Sequence, residues 1–232
     1  MNLAPERSRL VRVLEPEAME SADDARDYDA MDHSVVNRAF VEEFLAAVAA
    51  RHGSPVGTVL DLGTGTAQIP IELCRATEAG HVLAIDVAES MLEWAKTNVA
   101  RAGFADRVSL ALVDAKLLPY ADGSFSAVMS NSIVHHIPEP GDVLAEAVRV
   151  TEPGGILFVR DLARPADEAQ VNHLVATYAG QCNEHQRQLF DDSLRAALSI
   201  EEMRALVVNL GFDTATVAAT SDRHWTWHAV RK

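Results

Sequence analysis

The sequence predicts an α/β fold, a mostly parallel sheet covered by helices, and three observations carry that prediction. Short apolar runs alternate with amphipathic stretches from Thr58 onward, the pattern of parallel strands wrapped by helices. The first apolar run ends on glycines that open a helix. Two further runs close the chain, and the last alternates Trp225, Trp227 and Ala229 with Thr226 and His228, as a half-exposed antiparallel strand would.

Taken in order, residues 56–62 read as the first strand, and 68–77 as a helix with Ile69, Leu73 and Ala76 at helical spacing. Residues 81–87 form a second strand, followed by a helix over 89–102 that closes at Gly103. A third strand covers 108–113, and a fourth covers 126–130 after the turn Ala121-Asp122-Gly123-Ser124. The helix over 142–150 keeps Val143, Leu144, Ala147 and Val148 on one face, and Pro153-Gly154-Gly155 breaks the chain before the strand 156–159. A helix over 200–210 stops at Gly211, and late strands cover 212–218 and 223–230. Two pieces lie outside the rhythm. Residues 1–51 hold a helix over 36–50, and residues 161–199, too long for an ordinary loop, carry helical patterns over 168–179 and 186–198. Both are expected to lie over the carboxyl ends of the strands, where open α/β sheets bind ligands, within a single domain spanning 1–232.

Composition narrows the partners. A net charge of −14 with no Lys/Arg run argues against a nucleic-acid substrate, since a polyanion would be repelled. No apolar run reaches the roughly 18 residues of a membrane span. The polar N-terminus lacks the pattern of a signal peptide. Cys74 and Cys182 are the two cysteines, too few for a disulfide framework, which fits the cytoplasm. Nine histidines show no H-x-x-x-H or H-E-x-x-H on one predicted helix, so no metal site is expected. Oligomeric state is not readable.

The glycine turn Val59-Leu60-Asp61-Leu62-Gly63-Thr64-Gly65-Thr66-Ala67 ends a strand and starts a helix, whose N-terminus offers free N–H groups and a positive dipole end. A dinucleotide fingerprint wants a third glycine where Gln68 stands. Asp61 would repel a pyrophosphate but can accept from a ligand ammonium; alternatively it caps the turn. Asp86, at the end of the second strand, can take both hydroxyls of a ribose or cap the next helix. Asp114 with Ala115, ending the third strand, can meet an adenine, which Val87, Met91 and Leu92 would flank unless the last two are core.

These residues, in this order, resemble the class I S-adenosylmethionine-dependent methyltransferases. The resemblance rests on the glycine turn, the Asp86 strand end, V-D-A at 113–115, L-P-Y-A-D-G-S-F-S-A-V at 118–128 and E-P-G-G-I-L-F-V at 152–159. The stretch S-N-S-I-V-H-H-I at 130–137 is similar to the small-molecule and ubiquinone/menaquinone-type branch. The resemblance implies a Rossmann-like, doubly wound, seven-stranded sheet with an antiparallel last strand, and S-adenosylmethionine as cofactor. It implies that Gly63 and Gly65 meet the methionine moiety, that Asp86 takes the ribose, and that Asp114 and Ala115 take the adenine; Asp61, Thr64 and Gln68 are further candidates for cofactor binding. Asn131 would lie near the amino group and sulfonium, with Tyr28 folded over the cofactor from the N-terminal segment. The third motif glycine is Ala67 here, tolerable if that position only packs helix against strand. For a small-molecule acceptor, His135, His136 and Asp161 are the candidate bases, one histidine pointing inward while the other packs or meets solvent. Asp29, His33, Tyr178, Cys182 and His185 are weaker candidates for the covering segments. A non-catalytic binder of the cofactor, or another reaction on the same fold, is the alternative.

Overall fold

The computed structural model describes residues 10–16, 22–31, 33–51, 57–78 and 80–232. Val56, the expected start of the first strand, lies outside them.

Seven strands form one sheet in the order β3-β2-β1-β4-β5-β7-β6. These are β1 (Thr58–Leu62), β2 (His81–Asp86), β3 (Val108–Leu112), β4 (Phe125–Asn131), β5 (Thr151–Leu162), β6 (Val217–Ala219) and β7 (His224–Val230). Strands β1 to β5 pair in parallel, and β7 runs antiparallel to both β5 and β6, as expected. Strand order reverses between β1 and β4, so a crevice opens beyond their carboxyl ends.

The period-2 geometry of the strands sorts the core into two layers. Leu60, Leu62, Ile85 and Val128 face the side of α5 (Pro140–Val150) and α8 (Ile200–Asn209), joined there by Leu144, Met203 and both buried tryptophans. Val59, Val82, Ala127 and Met129 face the other side. There they meet α2 (Ser34–Ala50), α3 (Gln68–Ala76) and α4 (Glu89–Ala102) through Phe40, Phe44, Ile71 and Val99. Phe40 and Phe44 meet Phe158 edge-on, with centroids 5.2 and 5.9 Å apart. Each such pair contributes about 0.5–1.5 kcal/mol beyond area burial. The expected helices all form, α4 ending at Gly103 in the left-handed conformation.

Four differences from the sequence reading have physical causes. Residues 212–218 were expected to be a strand. Instead Asp213 accepts from the Ala215 N–H, a 3-10 turn covers Thr214–Thr216, and only three residues pair. Strand β5 begins at Thr151 rather than 156, because Pro153-Gly154-Gly155 is absorbed as a bulge between the pairs Phe125–Thr151 and Ala127–Ile156. At Gly155 a Cβ would lie 2.6 Å from Thr151 Cγ2, so the bulge demands glycine. Strand β7 is buried on both faces from His224 to Trp227, and alternation holds only for its last three residues. Its inner position between β5 and β6 explains this. Finally, α1 (Ala22–Asp29) has no apolar periodicity to announce it; buried Ala25 docks on Ala88 and Met91.

The insertion forms α6 (Glu168–Tyr178) and α7 (Glu184–Ala196), each capped by an Asp or Asn side chain. Residues 10–16 lie across it as a strap. The Arg12 guanidinium donates to the carbonyls of Ala196, His135, Ile137 and Pro138, and the Val13 N–H donates to Arg195 O.

Candidate active site

The turn after β1 is held by backbone geometry that glycine alone supplies at one position. Gly63 has φ +66°, and a Cβ there would stand 2.1 Å from Ile133 Cγ2. Gly65 follows at φ +56°, with Tyr28 Cε1 3.5 Å from where its Cβ would be. Ala67 also adopts the left-handed conformation, φ +63°, and is fully buried. The position therefore does more than pack helix against strand, and its backbone carries strain of about 1–2 kcal/mol.

Asp86 closes the turn from β2. One carboxylate oxygen accepts from Gly65 N–H at 2.8 Å and the other from Ala88 N–H at 2.9 Å. Burial raises its pKa, and these backbone hydrogen bonds oppose the rise. Each oxygen retains acceptor capacity toward the cleft.

Asp61 lies beneath the turn, on the same face of β1 as Val59, and is 2% exposed. Its Oδ2 has no hydrogen-bond partner among the described residues, and neither has Asn131 Oδ1 at the end of β4. Burial pushes the Asp61 carboxyl up to about 7; Thr64 opposes the rise and the Asp86 charge adds to it. Burial, with the charges of Asp86, Asp61 and Asp29, pushes the Tyr28 phenol up to about 12, leaving it a permanent donor near neutrality.

A cavity of about 120 Å³ opens beside these groups, lined by Gly63, Gly65, Asp86, Val87 and Met91, then by Asp114, Ala115, Asn131 and His136. A smaller one of about 20 Å³ holds Asp61, Thr64 and Gln68, with His33 and Asn37. Tyr28, Gly63 and Asn131 line both. Every sequence-predicted cofactor residue except Leu92 therefore lines one chamber or the other. Met91 is buried as well as lining, whereas Leu92 packs into the core. Asp114 is exposed and accepts from the Lys116 N–H at 2.8 Å. Among the described lining residues none is Lys or Arg, while three are Asp, so the cleft suits a cation and disfavours a pyrophosphate. Gln68 and Asn98 both donate to Asp29 Oδ1, at 3.1 and 2.7 Å, tying α1 down beside the cleft.

The two adjacent histidines have different surroundings. They sit on a 3-10 turn (Val134–His136) after β4, their ring centroids 4.1 Å apart. His136 lines the cavity. His135 is buried and lines neither chamber; its Nδ1 lies 2.5 Å from Asp161 Oδ1. Burial disfavours the charged His135 ring, but Asp161 and Glu15 outweigh it and hold its pKa above the usual value. The Asp161 carboxyl, which burial alone would raise, is held below its usual value by His135 and the Leu162 and His135 N–H groups. Burial and the neighbouring His135 push His136 down to about 3, so this ring is neutral near pH 7.

Sequence reasoning missed Glu15. The strap brings its Oε1 to 3.4 Å from His135 Nε2 and 3.1 Å from His136 Nδ1. No motif in the sequence links that residue to the histidines. Ser132, left-handed at φ +62°, and Ile133 also line the cavity; their position just past a strand end was the available signal. Tyr178, Cys182 and His185 line neither chamber, nor does any residue of 161–199. Tyr178 instead donates to Asp222 and stacks under Arg223.

Residues 54–217 match the family model described as a methyltransferase domain. The chain is 30% identical over 145 residues to a demethylmenaquinone methyltransferase of Desulfitobacterium hafniense, covering 61% of this chain and 56% of that protein. It is 34% identical over 140 residues to the ubiquinone/menaquinone biosynthesis C-methyltransferase UbiE of Desulfotalea psychrophila, covering 60% and 55%. It thus spans about half the length of these curated relatives. Among solved structures, the plantazolicin methyltransferase BpumL in complex with SAH superposes with a TM-score of 0.69 at 14% identity, covering 90% of this chain and 88% of that one.

Proposed function

The chain belongs to the methyltransferase-domain family, and from that premise we propose that it is an S-adenosylmethionine-dependent methyltransferase acting on a small-molecule acceptor. The observation that carries the reading is the buried Asp61 carboxyl lining an acidic cleft, whose Oδ2 has no hydrogen-bond partner among the described residues and is placed to accept from a cation. That BpumL shares this fold and is seen with SAH supports the same cofactor here.

The residues present fit the cofactor. Asp61 and Asn131 would accept from its ammonium, and the turn Gly63–Gly65 with Thr64 would pass close to the methionine moiety, Gln68 beside them. Asp86 would take the ribose hydroxyls with its free lone pairs, Val87 and Met91 would flank the base, and Asp114 with Ala115 would meet its edge. Tyr28 would cover the turn. S-adenosylmethionine, when bound, supplies a methyl group on a sulfonium, which an acceptor takes by in-line displacement as the C–S electron pair returns to sulfur. His136 is the member of the histidine pair that would meet the acceptor. His135 and Asp161 act through it as a buried positioning pair. The neutral His136 ring can hold an acceptor hydroxyl in line and take up its proton only transiently, given its low basicity.

The N-terminal segment, which brings Tyr28 to the cleft, we read as a lid, and the insertion at 161–199, which lines neither chamber, as its support within one domain. The charge of −14 and the acidic cleft favour a small molecule over nucleic acid, and two free cysteines fit the cytoplasm.

Incubation with S-adenosylmethionine and a panel of phenols, quinols, thiols and amines, read by mass spectrometry, tests the reading. S-adenosylhomocysteine should form with at least one class. His136→Ala should lower that turnover while leaving cofactor affinity within about twofold. Failure to bind the cofactor, or binding with no product from any class, would overturn the proposal.

A further inference from the structure

The cluster formed by Glu15, His135 and His136 is built unlike an ordinary ion pair. The three side chains come from two pieces of chain far apart in sequence, and their ligand-type atoms all lie within 4.8 Å of one another. Glu15 Oε1 stands 3.1 Å from His136 Nδ1 and 3.4 Å from His135 Nε2. A tetrahedral divalent ion with bonds of about 2.0–2.2 Å sets neighbouring ligand atoms about 3.3–3.6 Å apart; the separation to His135 falls in this range and the one to His136 lies about 0.2 Å below it. Glu15 Oε1 and His136 Nδ1 are buried with no hydrogen-bond partner among the described residues, despite their closeness. The side chains of Glu15 and His135 are 9% and 4% exposed. Leaving both atoms unsatisfied is costly unless a third group binds both from the side.

The surroundings are those of a ligand set. Asp161 Oδ1, 2.5 Å from His135 Nδ1, fixes the ring so that its Nε2 faces Glu15, the carboxylate–histidine arrangement that orients metal-bound imidazoles. Ser193 Oγ donates to Glu15 Oε2 at 3.2 Å, leaving Oε1 to turn toward the histidines. The four carbonyl bonds of Arg12 pin the strap three residues before Glu15. Charge balances too, because a divalent ion would offset the two carboxylates of Glu15 and Asp161 with both rings neutral.

We propose that Glu15, His135 and His136 form a three-ligand site for a divalent transition ion of the zinc class, at the wall of the cleft that His136 lines. Three protein ligands leave at least one coordination position open, as in catalytic rather than structural zinc sites. Resting on the methyl-transfer reading, that position would hold an acceptor oxygen or sulfur and lower its pKa, removing the need for a strong base. The ion binding itself does not depend on that reading.

The test uses the full chain, stripped with a chelator and titrated with zinc chloride against a chromophoric competitor. The expected result is one zinc per chain, with affinity reduced by about tenfold or more in both Glu15→Gln and His136→Ala and unchanged in His81→Ala. Cobalt(II) should give a visible d–d band in the wild type that both variants lose. No stoichiometric zinc, or an affinity that the two variants reduce by less than tenfold, would overturn the proposal; a chain that pairs a protonated His135 with Glu15 and Asp161 would behave so. S-adenosylmethionine titrated into the same samples separates the two readings, since a failed metal site leaves cofactor binding intact.

Discussion

Asp61→Asn should make the cofactor-free protein more stable and a worse binder at the same time. In the folded chain burial holds the Asp61 carboxyl at about 7, against an ordinary value of 3.8. At about 1.4 kcal/mol per pH unit, keeping it ionised in the folded protein costs about 4 kcal/mol. Because the folded pKa is the raised one, the unfolded chain gives up its proton first. Stability is therefore greatest below about pH 4, falls as pH rises toward 7, and is flat above. Asparagine carries no such proton, so the variant should gain up to about 4 kcal/mol over wild type at pH 8 and almost nothing at pH 4. Urea unfolding at the two pH values measures this, and thermal melts should follow at roughly 2–4 °C per kcal/mol in a chain of this size. Calorimetric titration should show S-adenosylmethionine bound more weakly by about 1.5–3 kcal/mol, the usual worth of a charge-assisted hydrogen bond. A variant no more stable than wild type at pH 8, or one that binds the cofactor equally well, would refute the role of a strained, waiting carboxylate.

Other perturbations test the remaining parts. Asp86→Ala should cost about 1–3 kcal/mol of cofactor affinity by calorimetry, since it strips ribose partners and frees the Gly65 and Ala88 amides; unchanged affinity contradicts the assignment. Gly63→Ala should destabilise the fold by more than about 2 kcal/mol in urea, because the new Cβ meets Ile133 and the φ is left-handed. Retention of wild-type stability would mean the turn is not built as described. Asp161→Ala removes the acceptor of three donors, His135 Nδ1, His135 N and Leu162 N, and should cost about 3–5 kcal/mol. A loss below about 1 kcal/mol would show the pair to be slack.

The regular elements and the cofactor cleft were legible because both rest on local rules. Apolar spacing announced α4 and its glycine cap, and Asp61, Asp86 and Asp114 mark strand ends that topology brings to one crevice. Signals that depend on partners far along the chain were not legible. Strand β7 looked half-exposed because nothing local shows that β5 and β6 flank it. The Pro-Gly-Gly bulge reads as a break, since a turn and a bulge use the same residues. Glu15 is one acid in a polar N-terminal stretch, and only the docking of the strap through Arg12 gives it meaning. Ala67 looked like a packing change, whereas its backbone needs the left-handed region.

An acidic cleft made for S-adenosylmethionine must bind that cofactor and reject a pyrophosphate. Parallel calorimetric titrations of S-adenosylmethionine and of NAD into the protein at pH 7 test it most directly. The structure predicts one S-adenosylmethionine bound per chain, with proton release as Asp61 ionises, and no saturable binding of the pyrophosphate-bearing dinucleotide. Equal binding of both, or tighter binding of NAD, would contradict it.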